Sequence, residues 1–124
     1  MIVHLDTSAL VDALTGPRRS LDALIQLTDQ GHRLAVSTIV LYEWLRGPRT
    51  RADLSVQEEL LPAEQAVTFG AAEAAAAAKL YKQVARPRGR EVDLAVAACA
   101  LANGASLWTL NADDFRDVPG LRLV

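Results

Sequence analysis

Short apolar runs alternate with longer segments of helical periodicity along this chain of 124 residues. The apolar runs predict short buried strands at 2–5, 33–37, 106–110 and 121–124. Apolar residues at helical spacing predict helices at 9–14, 20–30, 38–47, 54–61, 70–85 and 91–104, with a turn or short helix at 111–115. This alternation is typical of the α/β class. We expect a single domain over residues 1–124, a three-layer α/β/α sandwich around a mainly parallel sheet.

Acidic residues follow two of the predicted strands directly. Asp6 ends the first apolar run, and the stretch TLNADDF (109–115) follows a late one, bringing Asn111, Asp113 and Asp114. Parallel sheets collect functional groups at the carboxyl ends of their strands. We therefore expect these side chains to share one edge of the sheet.

Charge and composition narrow the function classes. The net charge of −2 argues against an overall electrostatic grip on nucleic acid, although arginines cluster in three loop-like segments, at 16–19, 46–51 and 86–90. No apolar stretch approaches the roughly 18 residues of a membrane span, and the start lacks the basic region of a signal peptide. The single cysteine, Cys99, lies in an apolar run and is typical of a core residue in a reducing compartment. We expect a cytoplasmic protein with no membrane association.

Three acids stand in apolar surroundings: Asp6, Glu43 and Asp93. A buried ionised carboxylate costs several kcal/mol unless it is paired, hydrogen-bonded or bound to a metal. Each has a local explanation: Asp6 as a helix cap, Glu43 paired with Arg46, and Asp93 in the first turn of its helix.

A shared explanation is a cleft in which these carboxylates converge. Clustered carboxylates repel one another unless a cation neutralises them. Oxygen ligands without histidine or cysteine nearby suit Mg²⁺ or Mn²⁺. Such a site is typical of hydrolysis at phosphate groups.

Four segments together resemble the PIN-domain ribonucleases, and within them the VapC-type toxins of bacterial toxin–antitoxin pairs. The segments are LDTSALVDAL (5–14), STIVLYEWLRG (37–47), EVDLAVAACALANGASLWTLNADDF (91–115) and GLRLV (120–124). The resemblance implies an endoribonuclease that depends on Mg²⁺ or Mn²⁺. It also implies a cognate antitoxin that covers the site, and a homodimer.

The resemblance assigns the catalytic acids to Asp6, Glu43, Asp93 and one residue of TLNADDF. Asn111 stands where many relatives have an aspartate, so we assign the fourth acid to Asp114 and expect Asp113 to face water. Asp6 and Asp93 would hold the metal, with contributions from Glu43, Asp114 and Asn111.

Other polar and aromatic residues receive lesser roles. We expect Arg46 and Arg49 to hold the RNA backbone. Thr7, Ser8 and Thr109 either support the acids of the site or cap helices, and we favour capping. Aromatic residues such as Tyr42 and Trp44 are assigned to the core, and His4 and His32 are not assigned to catalysis.

Two other function classes remain open at this stage. One is a PIN-like scaffold that binds RNA or protein without cutting, its acids acting as caps and ion pairs. The other is a phosphate-accepting receiver domain, which would require a lysine after a late strand. The only lysines, Lys79 and Lys82, lie in the alanine-rich segment instead.

Overall fold

A three-stranded parallel sheet forms the centre of the computed structural model, which describes residues 1–124. Its strands are β1 (Ile2–Leu5), β2 (Arg33–Ala35) and β3 (Ser106–Trp108), in the order β2-β1-β3. In the register of the sheet, His4 lies between Ala35 and Leu107. The carboxyl ends of all three strands therefore meet at one edge, as the sequence predicts.

Six helices cover the sheet and complete the three-layer α/β/α sandwich of the prediction. They are α1 (Thr7–Leu14), α2 (Leu21–Asp29), α3 (Thr38–Arg46), α4 (Arg51–Leu60), α5 (Ala71–Gln83) and α6 (Glu91–Ala102). Two 3₁₀ turns add to them, at Ala63–Gln65 and Ala112–Asp114. No helix has the length and apolar character needed to cross a membrane.

Helix α6 is the central helix of the core. Its residues from Leu94 to Ala100 are all buried, because it contacts β3, α3 and α5 at once. A helix that is apolar on every side fits such a position. Cys99 lies in this buried run, and burial raises the pKa of its thiol to about 11, which suits the predicted core role.

Side-chain caps fix where α3 and α4 begin. The Ser37 hydroxyl accepts a hydrogen bond from the Val40 amide, so α3 starts directly after β2. Thr50 and Asp53 form a reciprocal capping box, which explains why α4 begins at Arg51, three residues before the predicted start. The cap on α3 fixes the position of Glu43 in its second turn.

Two predictions differ from the structure. The closing run 121–124 makes only an isolated bridge between Leu123 and Leu107, so a fourth strand does not form. Tyr42 is 62% exposed, whereas Trp44 is fully buried as predicted. These two residues are two positions apart on α3 and therefore lie on nearly opposite faces, and the face that carries Trp44 packs against the core.

Candidate active site

Asp6 is held at the carboxyl edge of the sheet, between β1 and β3. Its amide donates a 2.9 Å hydrogen bond to the Trp108 carbonyl, which extends the strand pairing by one residue. The Thr109 hydroxyl donates to Oδ2 of Asp6 at 2.7 Å, and the Ser8 hydroxyl donates to the same oxygen at 3.2 Å. The Asp6 side chain makes no capping hydrogen bond to α1, although Asp6 occupies the N-cap position.

Of the two roles left open for three hydroxyl residues, the favoured capping role is wrong, and they support the acids instead. Ser8 and Thr109 hydrogen-bond Asp6, and Thr7 donates a 2.7 Å hydrogen bond to Oε1 of Glu43. Each hydroxyl is directed at a carboxylate because the chain turns directly after β1 and β3, so short polar side chains lie beside the acids. The hydroxyls orient the carboxylates of the candidate site.

The same hydroxyls also fix the backbone after β3. Oγ of Ser8 accepts a 3.0 Å hydrogen bond from the Leu110 amide, and Oγ1 of Thr109 accepts one of 3.0 Å from the Asn111 amide. The segment that leads to Asp114 is therefore tied to Asp6 through two side chains.

Glu43 extends the site from α3. Besides its bond from Thr7, it forms an ion pair with Arg46, whose Nη2 lies 3.5 Å from Oε2 of Glu43. This is the local pairing that the sequence left open. Because the Glu43 side chain is 21% exposed, both the pair and the hydroxyl contact remain accessible from solvent.

The pKa of Asp93 reflects both its burial and the charges of the other three acids. Burial raises its pKa to about 6, with further increases from the charges of Asp6, Asp114 and Glu43. Arg90 opposes this increase. Burial likewise raises the pKa of Asp6, and the hydrogen bond from Thr109 opposes it. The charges of the other three acids thus act on Asp93, and that of Glu43 acts on Asp6 as well.

Asp114 and Asp113 differ in their surroundings. Asp113 is 85% exposed and forms an ion pair with Arg116, and it is not among the charges that act on Asp93. Asp114 does act on Asp93 and lies on the 3₁₀ turn that follows Asn111. The Asn111 side chain is exposed beside these two acids.

The donor set fits a hard divalent cation in charge and chemistry. It consists of carboxylates whose charges raise the pKa values of Asp93 and Asp6, with oxygen atoms as the only donors. In the side-chain positions of the structure, however, no three His, Cys, Asp or Glu residues come close enough to hold a metal ion. The acids are near enough for their charges to act on Asp93, but their side chains do not form a compact metal cage.

The two arginines assigned to RNA binding have different environments. The Arg46 guanidinium is exposed and lies 5.4 Å from the centre of the Tyr42 ring. Arg49 instead stacks at 4.3 Å on the ring of the buried Trp44 and donates to the Trp44 and Pro48 carbonyls. Arg49 is thus engaged within its own chain, and Arg46 is the freer of the two.

Sequence analysis missed an ion pair beside the acids. Arg90 and Asp117 are joined by two hydrogen bonds, although 27 residues separate them. No spacing rule connects an arginine of a loop with an aspartate so far along the chain. The single available signal was the position of Arg90, three residues before Asp93.

The family model described as PIN domain matches residues 3–121. No curated protein matches the sequence.

Solved structures share the fold across nearly the whole length. VapBC2 from Rickettsia felis, bound to a DNA fragment from its promoter, has a TM-score of 0.76 at 24% identity, covering 100% of this chain and 98% of that chain. DNA-bound VapBC from Salmonella typhimurium has a TM-score of 0.79 at 21% identity, covering 100% and 97%. VapBC-5 from Mycobacterium tuberculosis, of the VapBC family of toxin–antitoxin systems, has a TM-score of 0.66 at 21% identity, covering 99% and 97%. The family match spans the sheet and every predicted acid, and the chain therefore belongs to the PIN-domain family.

Proposed function

We propose that this protein is a metal-dependent endoribonuclease and the toxin of a type II toxin–antitoxin pair. One observation carries the enzymatic part: the charges of Asp6, Glu43 and Asp114 all act on Asp93 at the carboxyl edge of a PIN-domain sheet. Repulsion between clustered carboxylates reduces the stability of the folded protein, and binding a divalent cation is a function that would account for it. The hydroxyls of Thr7 and Thr109 keep two of these acids oriented.

The chain's residues divide the work of hydrolysis. Asp6 and Asp93 would hold Mg²⁺ or Mn²⁺, with Asp114 and Asn111 completing the set. When bound, the ion stabilises negative charge on the phosphate and lowers the pKa of water. Glu43 orients the attacking water or joins the ligands, and Thr7 holds its carboxylate in place.

RNA recognition is assigned to the surface next to Glu43. Arg46 is exposed there and pairs with a phosphate of the RNA backbone. Tyr42 is exposed beside it, and its ring offers a face on which an unpaired base stacks. We therefore assign single-stranded or looped RNA as the substrate class. Arg49, bound to its own chain, is given no direct role.

The partner assignment rests on the relatives. VapBC-5 belongs to a family of toxin–antitoxin systems, and a further structural relative is a toxin–antitoxin complex from Klebsiella pneumoniae, 21% identical with a TM-score of 0.74. We assign this chain a cognate antitoxin that covers the carboxylate site and a homodimeric state. Co-expression with the product of a small adjacent gene tests this: a stable complex without nuclease activity supports the assignment. An active nuclease that no adjacent product inhibits contradicts it.

Cleavage of defined RNA tests the enzymatic part. Purified full-length protein is incubated with single-stranded RNAs of varied sequence, with Mg²⁺, with Mn²⁺ and with EDTA. We expect internal cuts that require the cation and that Asp93→Asn abolishes. The matched control is Asp22→Asn, which changes an exposed acid on α2 far from the site in sequence.

A non-cutting scaffold is the second candidate, and one observation favours it. The side chains form no ready metal cage in the structure. Calorimetry with Mn²⁺ separates the two candidates. The nuclease binds Mn²⁺ in a way that Asp93→Asn removes, whereas the scaffold shows no such Asp93-dependent binding.

A further inference from the structure

Arg90 connects the start of α6 with the chain segment that carries Asp114. Its Nη1 donates to Oδ2 of Asp117 at 2.9 Å, and its Nη2 donates to Oδ1 of Asp117 at 2.6 Å. The same Nη2 also donates a 2.9 Å hydrogen bond to the Asp114 carbonyl oxygen. One guanidinium thus contacts both the 3₁₀ turn of Asp114 and the loop after it.

The bidentate pairing of Arg90 with Asp117 fixes how the two side chains are oriented. The Arg90 side chain is 20% exposed and that of Asp117 is 47% exposed, so the pair lies at the surface. A surface ion pair contributes little to the free energy of unfolding, but a bidentate arginine–carboxylate pair fixes the relative orientation of its partners. Its consequence is therefore local geometry.

The segment that Arg90 holds carries Asp114, and Arg90 itself lies close to Asp93 in the sequence. Arg90 is the N-cap residue of α6 and precedes Asp93 by three positions. The charge of Arg90 also opposes the increase in the pKa of Asp93. We propose that Arg90 is a positioning residue: anchored by Asp117, it holds Asp114 at a fixed place relative to Asp93 for cation binding. This inference rests on the proposed function of the same site.

Removing Arg90 changes cation affinity in one direction if Arg90 acts by positioning Asp114, and in the opposite direction if it acts only through its charge. Removing a positive charge near a cation site strengthens cation binding by Coulomb's law. Releasing a ligand-bearing turn weakens it. We therefore expect Arg90→Gln to bind Mn²⁺ roughly tenfold more weakly than the wild type by calorimetry, in the range for residues that orient metal ligands. Equal or tighter binding by Arg90→Gln overturns the inference.

Two further variants sharpen this measurement. Arg90→Lys keeps the charge but loses the fork that reaches Asp117 and Asp114 together, so its affinity should also fall. It replaces Arg90→Gln if that variant fails to fold. Arg116→Gln is the matched control, because Arg116 pairs with Asp113 on the same segment and does not contact Asp114. Its Mn²⁺ affinity should stay close to that of the wild type.

A readout without metal keeps this inference separate from the proposed function. Amide hydrogen exchange of Asp114, Phe115 and Val118 reports the order of the segment, since these amides hydrogen-bond within it. Arg90→Gln should accelerate their exchange roughly tenfold in the metal-free protein, and Arg116→Gln should not. Unchanged exchange overturns the role of Arg90. Faster exchange in a protein whose wild type binds no Mn²⁺ leaves the positioning role intact and removes the metal-dependent function.

Discussion

The Thr109 hydroxyl donates a 2.7 Å hydrogen bond to Oδ2 of Asp6, across the carboxyl ends of β3 and β1. It joins residues 103 positions apart, and it opposes the increase in pKa that burial imposes on Asp6. The two strands are adjacent in the sheet, so this bond is a direct product of the fold. It favours the ionised form of the acid that is central to the site.

Thr109→Val should therefore impair the site by changing the charge of Asp6. Without the hydrogen bond the pKa of Asp6 rises further, so the acidic side of the pH–rate profile should shift to higher pH. The rate of RNA cleavage as a function of pH measures this shift.

Two variants control for the loss of a hydroxyl. Thr109→Ser keeps the donor and should retain the wild-type pH profile. Thr15→Val removes a hydroxyl that bonds only the Val11 carbonyl in α1, so it should leave the profile unchanged. If Thr109→Val shows the wild-type profile, the hydrogen bond does not control the state of Asp6.

Asp93→Asn should stabilise the metal-free protein while abolishing cleavage. The pKa of Asp93 is about 6 in the folded state, above the ordinary value of 3.8, so the charged form is disfavoured by folding. The contribution of Asp93 to wild-type stability should therefore fall as pH rises from about 4 to 6 and stay reduced above it, opposite in sign to the contribution of His4 described below. At pH 7.5 the variant should gain on the order of 1 kcal/mol in free energy of unfolding, after discounting for the partial exposure of Asp93.

Urea denaturation of both proteins at several pH values measures this difference. The gain should shrink towards pH 4, where the wild-type carboxyl is protonated as well. A variant less stable than the wild type at pH 7.5 contradicts the repulsion between the four acids.

The strands and helices were largely predictable because their signals are local. Periodicity and caps lie within a few residues of the elements that they define, as for Ser37 before α3. The closing run 121–124 does not form a strand because its backbone bonds the sheet only at Leu107, and a strand needs a neighbour along its length. The assignment of Tyr42 to the core was wrong for a similar reason. Its place on α3 was predicted, but the sequence did not show which face of α3 packs against the core.

Asp6, Glu43 and Asp93 were identified from their apolar surroundings, since a buried charge needs a partner, whereas Asp114 was assigned from the family resemblance. Their partners were harder to predict. Thr109 and Asp6 come together only through the pairing of β1 with β3, and Arg90 meets Asp117 only after the chain folds back from the sheet. These contacts depend on tertiary structure, so propensity assigned the hydroxyls to helix caps.

Acidification should destabilise the protein through His4. This histidine lies within β1, is 1% exposed, and has a pKa lowered to about 4 by burial, against 6.5 ordinarily. Because the unfolded chain takes up the proton first, stability present above pH 6.5 should be lost as pH falls from 6.5 to 4. The loss should be on the order of 3 kcal/mol.

His4→Gln keeps a polar partner for Asn103, which contacts the imidazole at 2.8 Å, and removes the titration. Thermal melts between pH 4 and 7 should show a flatter dependence for His4→Gln than for the wild type. His32→Gln serves as the control for the loss of a histidine. The same pH dependence in His4→Gln and the wild type excludes His4 as the source.

Asp114 and Asp113 form a matched pair for mutation. Asp114→Ala should abolish cation-dependent cleavage, because its charge acts on Asp93. Asp113→Ala should leave cleavage within about twofold of the wild type, because its partner is the exposed Arg116 and exposed pairs contribute little. Initial rates on one RNA measure both. If Asp113→Ala is the inactive variant, the two assignments are reversed.

The central claim is that Asp6 takes part in cation-dependent RNA cleavage. The most direct measurement compares Mg²⁺-dependent cleavage of a single-stranded RNA by the wild type, Asp6→Asn and Asp29→Asn, all at matched folded concentration. Asp29 is an exposed acid at the end of α2 and provides the same chemical change away from the site. We predict a loss of at least about 100-fold for Asp6→Asn and none for Asp29→Asn. Mg²⁺-dependent cleavage by folded Asp6→Asn at the wild-type rate would contradict the claim.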